Sequence, residues 1–244
     1  MTTTKHRSVR LLASVTNEAE ARIAVAGGAD IIDAKDPSQG ALGALPHAVV
    51  AAIRAAVPAE VPVSATIGDL PSEPEAVLSA ARAMAATGCD IVKIGLFPGA
   101  PLETIHHLGQ HLAHEIPLVA VLIADAPADE ALVPALGEAG FAGVMLDTAL
   151  KDGRTLRDHR SADELRSFVI AARSAGLFAG LAGSLRKAQI PELLALKPDV
   201  LGFRGALCRA SDRRSTLDPS ALADVRNAIP MTAQASNRSL EITT

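Results

Sequence analysis

Aromatic residues are scarce in this chain of 244 residues, which has five Phe, no Trp and no Tyr. Proteins that hold single-stranded nucleic acid stack its bases on aromatic rings, so this composition argues against such a platform. Positive charge is also limited, with a formal net charge of -4. Because binding to phosphodiester backbone relies on a dense basic surface, no nucleic-acid partner is expected.

Cysteine and long apolar runs are scarce as well. The two cysteines, Cys89 and Cys208, are far apart, and neither belongs to a CxxC pair of the kind found in metal and redox sites. No run approaches the roughly 18 apolar residues that a membrane span needs. The first residues, 1–8, are polar and lack the apolar core of a signal peptide. We therefore expect a cytoplasmic protein without a membrane partner.

The chain does contain a regular alternation of short β-branched runs and longer Ala-rich amphipathic stretches. This alternation predicts eight strands, each followed by a helix. The predicted strands are Val9–Val15, Asp30–Ala34, Val61–Ile67, Asp90–Leu96, Pro117–Ile123, Gly143–Leu146, Leu177–Ala182 and Asp199–Phe203.

Two local patterns recur along the chain. Helix starts are marked by a capping residue three positions before a glutamate, at Asn17 with Glu20, Ser72 with Glu75 and Ser161 with Glu164. Strand starts are marked by an aspartate that follows a glycine or proline stop, at Asp30, Asp90 and Asp199. One βα unit repeated around a ring would give this recurrence.

Eight βα units in so short a chain favour a single (β/α)8 TIM barrel of the α/β class. A doubly wound open sheet is the alternative, but no GxGxxG motif follows the first strand. We expect residues 1–230 to form the barrel domain. Residues 231–244 are polar and unpatterned, and we expect them to be a frayed, flexible tail.

Active sites of such barrels lie at the carboxyl ends of the strands. There the sequence places Asp33 and Lys35, Lys93 inside an apolar run, and Asp147 followed by Lys151. Asp33 and Lys35 are two apart and therefore point the same way on a strand. Clustered ammonium groups favour loss of a proton from one of them, which gives an amine that attacks carbonyls. Ordinary solvated or ion-paired lysines are the alternative reading for each residue alone.

The last two predicted strands end in small residues that expose backbone N–H groups. Barrels often bind phosphate between these two loops, so Gly183, Ser184 and Gly205 are candidate phosphate-binding residues, with Arg204 supplying a charge. The histidines give a weaker signal. His106, His107, His111 and His114 cluster in a predicted helix, and a solvated helix face explains them better than a metal site does.

Six strings in this order resemble the (5-formylfuran-3-yl)methyl phosphate synthases, from about residue 10 to about 227. They are GGADIIDAKDPSQGALGA (27–44), VSATIGD (63–69), DIVKIGL (90–96), MLDTALKDGRTL (145–156), GLAGSL (180–185) and GFRGALC (202–208). The resemblance implies a (β/α)8 barrel without metal or organic cofactor. It also implies joining of two molecules of glyceraldehyde 3-phosphate into a furan, with loss of phosphate and water, on the route to methanofuran or methylofuran.

The family's active-site residues match Asp33, Lys35, Lys93, Asp147 and Lys151, with Lys35 as the Schiff-base lysine. Our hypothesis is that Lys93 activates Lys35 and positions the substrate. The two aspartates would move protons, and Lys151 would assist at the second aldehyde.

One departure from the family concerns tyrosines near the fifth strand, which this chain lacks. Whether Asp125, in that region, acts at the mouth is left open. Two other functions remain in view: a class I aldolase of sugar phosphates, and a non-catalytic sugar-phosphate binding protein. The sequence also leaves homo-oligomerisation open.

Overall fold

The protein is a closed barrel of eight parallel strands that pair in chain order, with the last strand returning to the first. The computed structural model describes residues 9–97, 99–126, 131–150 and 152–230. The predicted (β/α)8 barrel is confirmed. The predicted tail, 231–244, lies outside the described residues.

The element boundaries follow the predicted alternation closely. The strands are β1 (Arg10–Val15), β2 (Ile31–Ala34), β3 (Val63–Thr66), β4 (Ile91–Gly95), β5 (Leu118–Ile123), β6 (Gly143–Asp147), β7 (Phe178–Leu181) and β8 (Val200–Phe203). The helices are α1 (Glu18–Ala26), α2 (His47–Ala56), α3 (Pro74–Ala85), α4 (Pro101–His111), α5 (Leu132–Glu138), α6 (Leu156–His159), α7 (Ala162–Ser174), α8 (Ile190–Ala195) and α9 (Pro219–Ala228). None of these helices of the described residues has the length and apolar character to cross a bilayer.

Two of the three predicted helix caps are confirmed. The Asn17 side chain accepts a hydrogen bond from the Glu20 N–H, and Ser161 forms a reciprocal capping box with Glu164. The prediction for Ser72 was wrong. Pro74, which suits the first helical position, starts α3 after Glu73, and the Ser72 hydroxyl instead donates to the Phe97 carbonyl at 2.7 Å.

Alternation along the strands divides the apolar side chains into two cores. The smaller one fills the barrel interior and includes Leu12, Ile31, Ile91 and Met145. The larger one lies between the strands and the surrounding helices, where Phe168 is fully buried. Because side chains on one face of a strand recur every two residues, Asp33, Lys35 and Lys93 also point inward, above this apolar layer.

The recurring aspartates fasten the amino ends of β2, β4 and β8. Each carboxylate accepts a backbone N–H from the start of the preceding strand, at 2.7–2.9 Å. Each also pairs with an arginine of a covering helix or its end: Asp30 with Arg226, Asp90 with Arg54 and Asp199 with Arg173. Ala142 stands at the equivalent place before β6, where only the backbone hydrogen bond to Leu118 remains.

We expect Asp30→Ala to lower the free energy of unfolding by about 1–3 kcal/mol. The substitution removes the acceptor of the Leu11 N–H and the anion that pairs with the buried Arg226 guanidinium. Urea denaturation measures the change. Asp163→Ala is the control, since Asp163 pairs with Arg166 on the exposed face of α7 and should contribute about 0.5 kcal/mol or less. Equal effects of the two substitutions would contradict a fastening role for Asp30.

Candidate active site

A cavity of about 730 Å³ opens at the carboxyl end of the barrel. Its floor carries charged side chains from β2, β4 and β6, and its wall is built by the loops after β7 and β8. The residues on the floor and wall that matter below are Ser14, Asp33, Lys35, Lys93, Asp147, Gly183, Ser184, Arg204, Gly205 and Arg213.

The deepest charged contact joins Lys93 to Asp33. The Lys93 ammonium lies 3.0 Å from Asp33 Oδ1, and the two residues are 4% and 1% exposed. Two hydroxyls complete the carboxylate's shell: Ser64 donates to Oδ1 at 2.7 Å and Ser14 to Oδ2 at 2.9 Å. Ser14 and Ser64 are the register partners of Asp33 on β1 and β3.

Opposing effects act on the pKa of Asp33. Burial raises it, but the ammonium groups of Lys93 and Lys35 and the Ser64 hydrogen bond outweigh burial and hold the pKa below its usual range. Asp33 is therefore an anion at neutral pH, and its oxygens are occupied by Lys93 and the two serines.

The second contact, between Lys35 and Asp147, lies closer to the mouth. The Lys35 ammonium is 2.9 Å from Asp147 Oδ2, and the other carboxylate oxygen accepts the Thr148 N–H at 2.8 Å. Both residues are buried, at 8% and 5% exposure. An amine must lose its proton before it attacks a carbonyl, and Asp147 is the carboxylate in contact with Lys35.

The structure thus brings together four of the five predicted site residues, Asp33, Lys35, Lys93 and Asp147. Lys151 lies outside the described residues. Asp33 and Lys35 share the inward face, as their spacing predicted, but each joins a different ion pair. Instead of a cluster of lysines, the structure shows ammonium and carboxylate groups that alternate. Ser14 and Ser64, which donate to Asp33, were not predicted from the sequence.

The predicted phosphate loops line the same cavity. Gly183 has φ 104° and Ser184 has φ 50°, so the chain turns sharply after β7. A side chain at Gly183 would lie 2.9 Å from the Thr148 side chain. Within the described residues, the N–H groups of Gly183, Ser184, Gly205 and Ala206 donate to no protein acceptor, which leaves them available for an anion.

Arg204 occupies a different place from the one expected. Its five N–H donors are engaged by the Glu20 carboxylate, at 2.6 and 3.1 Å, and by the carbonyls of Ser14, Arg213 and Ser215. Burial raises the pKa of Glu20, but Arg204 and the hydrogen bonds from Thr16 together outweigh that effect and lower it. The guanidinium therefore has no donor left for phosphate in this arrangement, so its predicted role does not match the geometry.

Two further aspartates hold the loops of the mouth. Asp125, whose role the sequence left open, accepts the N–H groups of Ala149 and Leu150 at 2.7 and 2.6 Å, beyond β6. Asp69 accepts those of Ala41 and Leu42 at 2.8 and 2.7 Å, beyond β2. Gly40, at φ 80°, permits this second contact, because a Cβ there would lie 2.1 Å from Asp69 Oδ2.

The histidine cluster lies away from this cavity. The rings of His107 and His111 are 4.5 Å apart on α4, His107 also contacts Glu75, and His114 follows the end of the helix. In the described part of the chain, no group of three or more His, Cys, Asp or Glu side chains could hold a metal ion.

Comparison with known proteins identifies the family of the chain. The family model of 4-HFC-P synthase matches residues 11–226, which include every cavity residue named above. The chain belongs to the 4-HFC-P synthase family. A Methylorubrum extorquens protein provisionally named (5-formylfuran-3-yl)methyl phosphate synthase is 43% identical, with coverage of 90% of this chain and 91% of that protein. The synthase of that name from Methanocaldococcus jannaschii is 39% identical, with coverage of 84% and 92%. These names indicate an enzyme.

Solved structures agree on the fold. Phosphoribosyl anthranilate isomerase from Thermus thermophilus superposes with a TM-score of 0.64 at 17% identity, covering 90% of this chain and 98% of that one. At this identity the likeness concerns the barrel and not the reaction.

We expect Lys93→Met to lower the free energy of unfolding by about 3 kcal/mol at neutral pH, because it leaves the buried Asp33 carboxylate without its cation. The loss should shrink as pH falls, because burial without Lys93 raises the pKa of Asp33 in the variant, and this carboxylate takes up a proton before the pH reaches the ordinary aspartate pKa of about 3.9. Urea denaturation at neutral and acid pH tests both points. Lys187→Met, in an exposed pair with Asp224, should cost about 0.5 kcal/mol or less. A loss that does not depend on pH would contradict the assignment.

Asp125→Ala should speed hydrogen exchange at the Ala149 and Leu150 amides about tenfold, since their charged acceptor is lost. The amides of Ala41 and Leu42 should not change, and Asp69→Ala should give the reverse pattern. Each variant thus serves as the other's control in amide-resolved exchange. Faster exchange across both loops in either variant would point to general destabilisation instead.

Proposed function

We propose that the protein condenses two molecules of glyceraldehyde 3-phosphate into (5-formylfuran-3-yl)methyl phosphate, with loss of phosphate and water, through a Schiff base on Lys35. The product is the one that its relatives' names carry, and it would serve methanofuran or methylofuran biosynthesis. The observation that carries the proposal is the contact between Lys35 and Asp147 on the floor of an open cavity.

The contact between Lys35 and Asp147 supplies the amine and the proton acceptor that iminium formation needs. Asp147 takes a proton from the Lys35 ammonium, and the amine attacks the aldehyde carbon of the first triose phosphate. Loss of water from the carbinolamine gives the iminium, which makes the adjacent C–H bond acidic. Removal of that proton leaves an enamine whose carbon forms the new bond to the second triose phosphate. Elimination breaks one C–O bond to phosphate, water is lost as the ring closes, and hydrolysis of the iminium returns the free amine of Lys35. The Thr148 N–H holds Asp147 in place for these transfers.

Asp33 and Lys93 have a more static role in this scheme. Because Lys93 and two serines occupy the oxygens of Asp33, this carboxylate fixes the position of the Lys93 ammonium. The ammonium belongs to the same cavity as Lys35, and in this scheme it stabilises negative charge on substrate oxygens during addition and elimination. Of the two aspartates, Asp147 is therefore our candidate for proton transfer. Lys151 remains the sequence-based candidate at the second aldehyde.

Purified protein incubated with glyceraldehyde 3-phosphate should produce a near-ultraviolet furan chromophore together with released phosphate. Borohydride quenching should leave a reduced adduct on the Lys35 peptide. Lys35→Ala should abolish all three signals, because it removes the amine that contacts Asp147. Lys197→Asn is the control: Lys197 is exposed and lies at φ 57°, which Asn tolerates.

The outcomes separate the functions that the sequence left in view. An adduct on Lys35 without a chromophore would indicate a class I aldolase. Saturable binding with neither signal would indicate a binding protein. Full turnover by Lys35→Ala would overturn the Schiff-base assignment.

A further inference from the structure

Arg213 is a cation in the cavity wall that pairs with none of the described residues. It lies in the loop after β8, its side chain is half-buried, and its guanidinium makes no hydrogen bond or ion pair with any described residue. The other cationic side chains of the described cavity wall are all engaged by protein acceptors: Lys35, Lys93, Arg186, Lys187 and Arg204.

The Glu20–Arg204 pair holds this loop in place. Arg204 donates to the carbonyls of Arg213 and Ser215, both at 2.9 Å. Glu20 accepts the N–H of Leu217 at 3.2 Å, where the loop ends. The N–H donors of Arg204 thus fix the backbone that carries Arg213. This explains why Arg204, although next to the predicted phosphate loops, has no donor free for an anion.

The surroundings of Arg213 favour an anionic ligand. Partial burial is the main cause that lowers the pKa of its guanidinium; the charges of Arg204 and Arg214 act in the same direction, and Asp147 and Asp36 oppose them. An arginine stays charged nonetheless, and its planar donors match phosphate oxygens in pairs. The unengaged N–H groups of Gly183, Ser184 and Gly205 line the same cavity.

We propose that Arg213 binds the phosphate group of the substrate, together with the backbone N–H groups after β7 and β8, and that Arg204 is a positioning residue that acts through it. This assignment rests on the proposed function for the identity of the ligand, a short phosphorylated aldehyde. Arg213 is near enough to Asp147 for their charges to interact, and Asp147 contacts Lys35. Arg213 and Lys35 line the same cavity, so the proposal places the phosphate end of the substrate at the guanidinium and its aldehyde end at the amine.

Calorimetric binding of glycerol 3-phosphate tests the proposal without turnover. Arg213→Ala should weaken binding between about tenfold and a hundredfold, as expected for lost charge-assisted hydrogen bonds. Arg213→Lys should recover part of the affinity, because lysine keeps the charge but not the paired donors. Arg214→Ala is the matched control, an exposed arginine in the same loop, and should change affinity less than twofold. Wild-type affinity in folded Arg213→Ala would overturn the proposal, and Arg213→Lys repeats the test if the alanine variant does not fold.

A second measurement separates this proposal from the proposed function. Borohydride trapping on Lys35 should slow in Arg213→Ala with glyceraldehyde 3-phosphate but not with unphosphorylated glyceraldehyde. If the wild type forms no furan while Arg213→Ala still weakens binding of glycerol 3-phosphate, the result would support the phosphate site and contradict the synthase function. Weakened binding of inorganic phosphate alone, with glycerol 3-phosphate unaffected, would overturn the assignment as a substrate site.

A double-mutant cycle tests the role of Arg204. If Arg204 acts through Arg213, Arg204→Lys should weaken glycerol 3-phosphate binding in the wild type but add nothing in the Arg213→Ala background. Additive losses would show that Arg204 contacts the ligand itself, or acts by another route, and would overturn the positioning role.

Discussion

The buried contact between Lys93 and Asp33 is the constraint on which the site depends. A lysine inside an apolar barrel is tolerated only with a carboxylate beside it, and that carboxylate must in turn be solvated by protein groups. Ser14 and Ser64 supply this solvation from the two flanking strands. The barrel register therefore fixes not only the fold but also the place of the innermost charge, above which Lys35 and Asp147 can meet.

The fold and the floor of the site could be predicted because strand geometry is periodic. Lys93 interrupts an apolar run, and Asp33 and Lys35 are each an even number of residues from an inward-facing position. In a barrel, all three side chains are therefore expected at the mouth. The two serines carry the same signal: Ser14 and Ser64 are polar residues at inward positions of apolar strands. They could have been found by comparing neighbouring strands with β2.

Loops and helix starts escaped prediction because long-range contacts decide them. Nothing in the local sequence says that Arg204 turns back to Glu20, a residue 184 positions away, while Arg213 faces the cavity. From the composition of the loop after β8, either arginine could be the one that faces the cavity. At Ser72 the local signal was misleading in a similar way, since the hydroxyl finds a carbonyl across the loops and the helix begins later. Short-range patterns locate such segments without orienting their side chains.

The arginines that close the ring have a consequence for synthesis of the chain. Glu20 and Asp30 emerge from the ribosome early, but their partners Arg204 and Arg226 come near the end. Until then these carboxylates lack their cations and have only nearby partners, Thr16 for Glu20 and the Leu11 N–H for Asp30. Contacts so distant in sequence form late and slowly. The ion pairs that join α1 and the start of β2 to the last described strand and helix therefore form only after those segments have been made, and a chain truncated before α9 lacks the cation that pairs with Asp30.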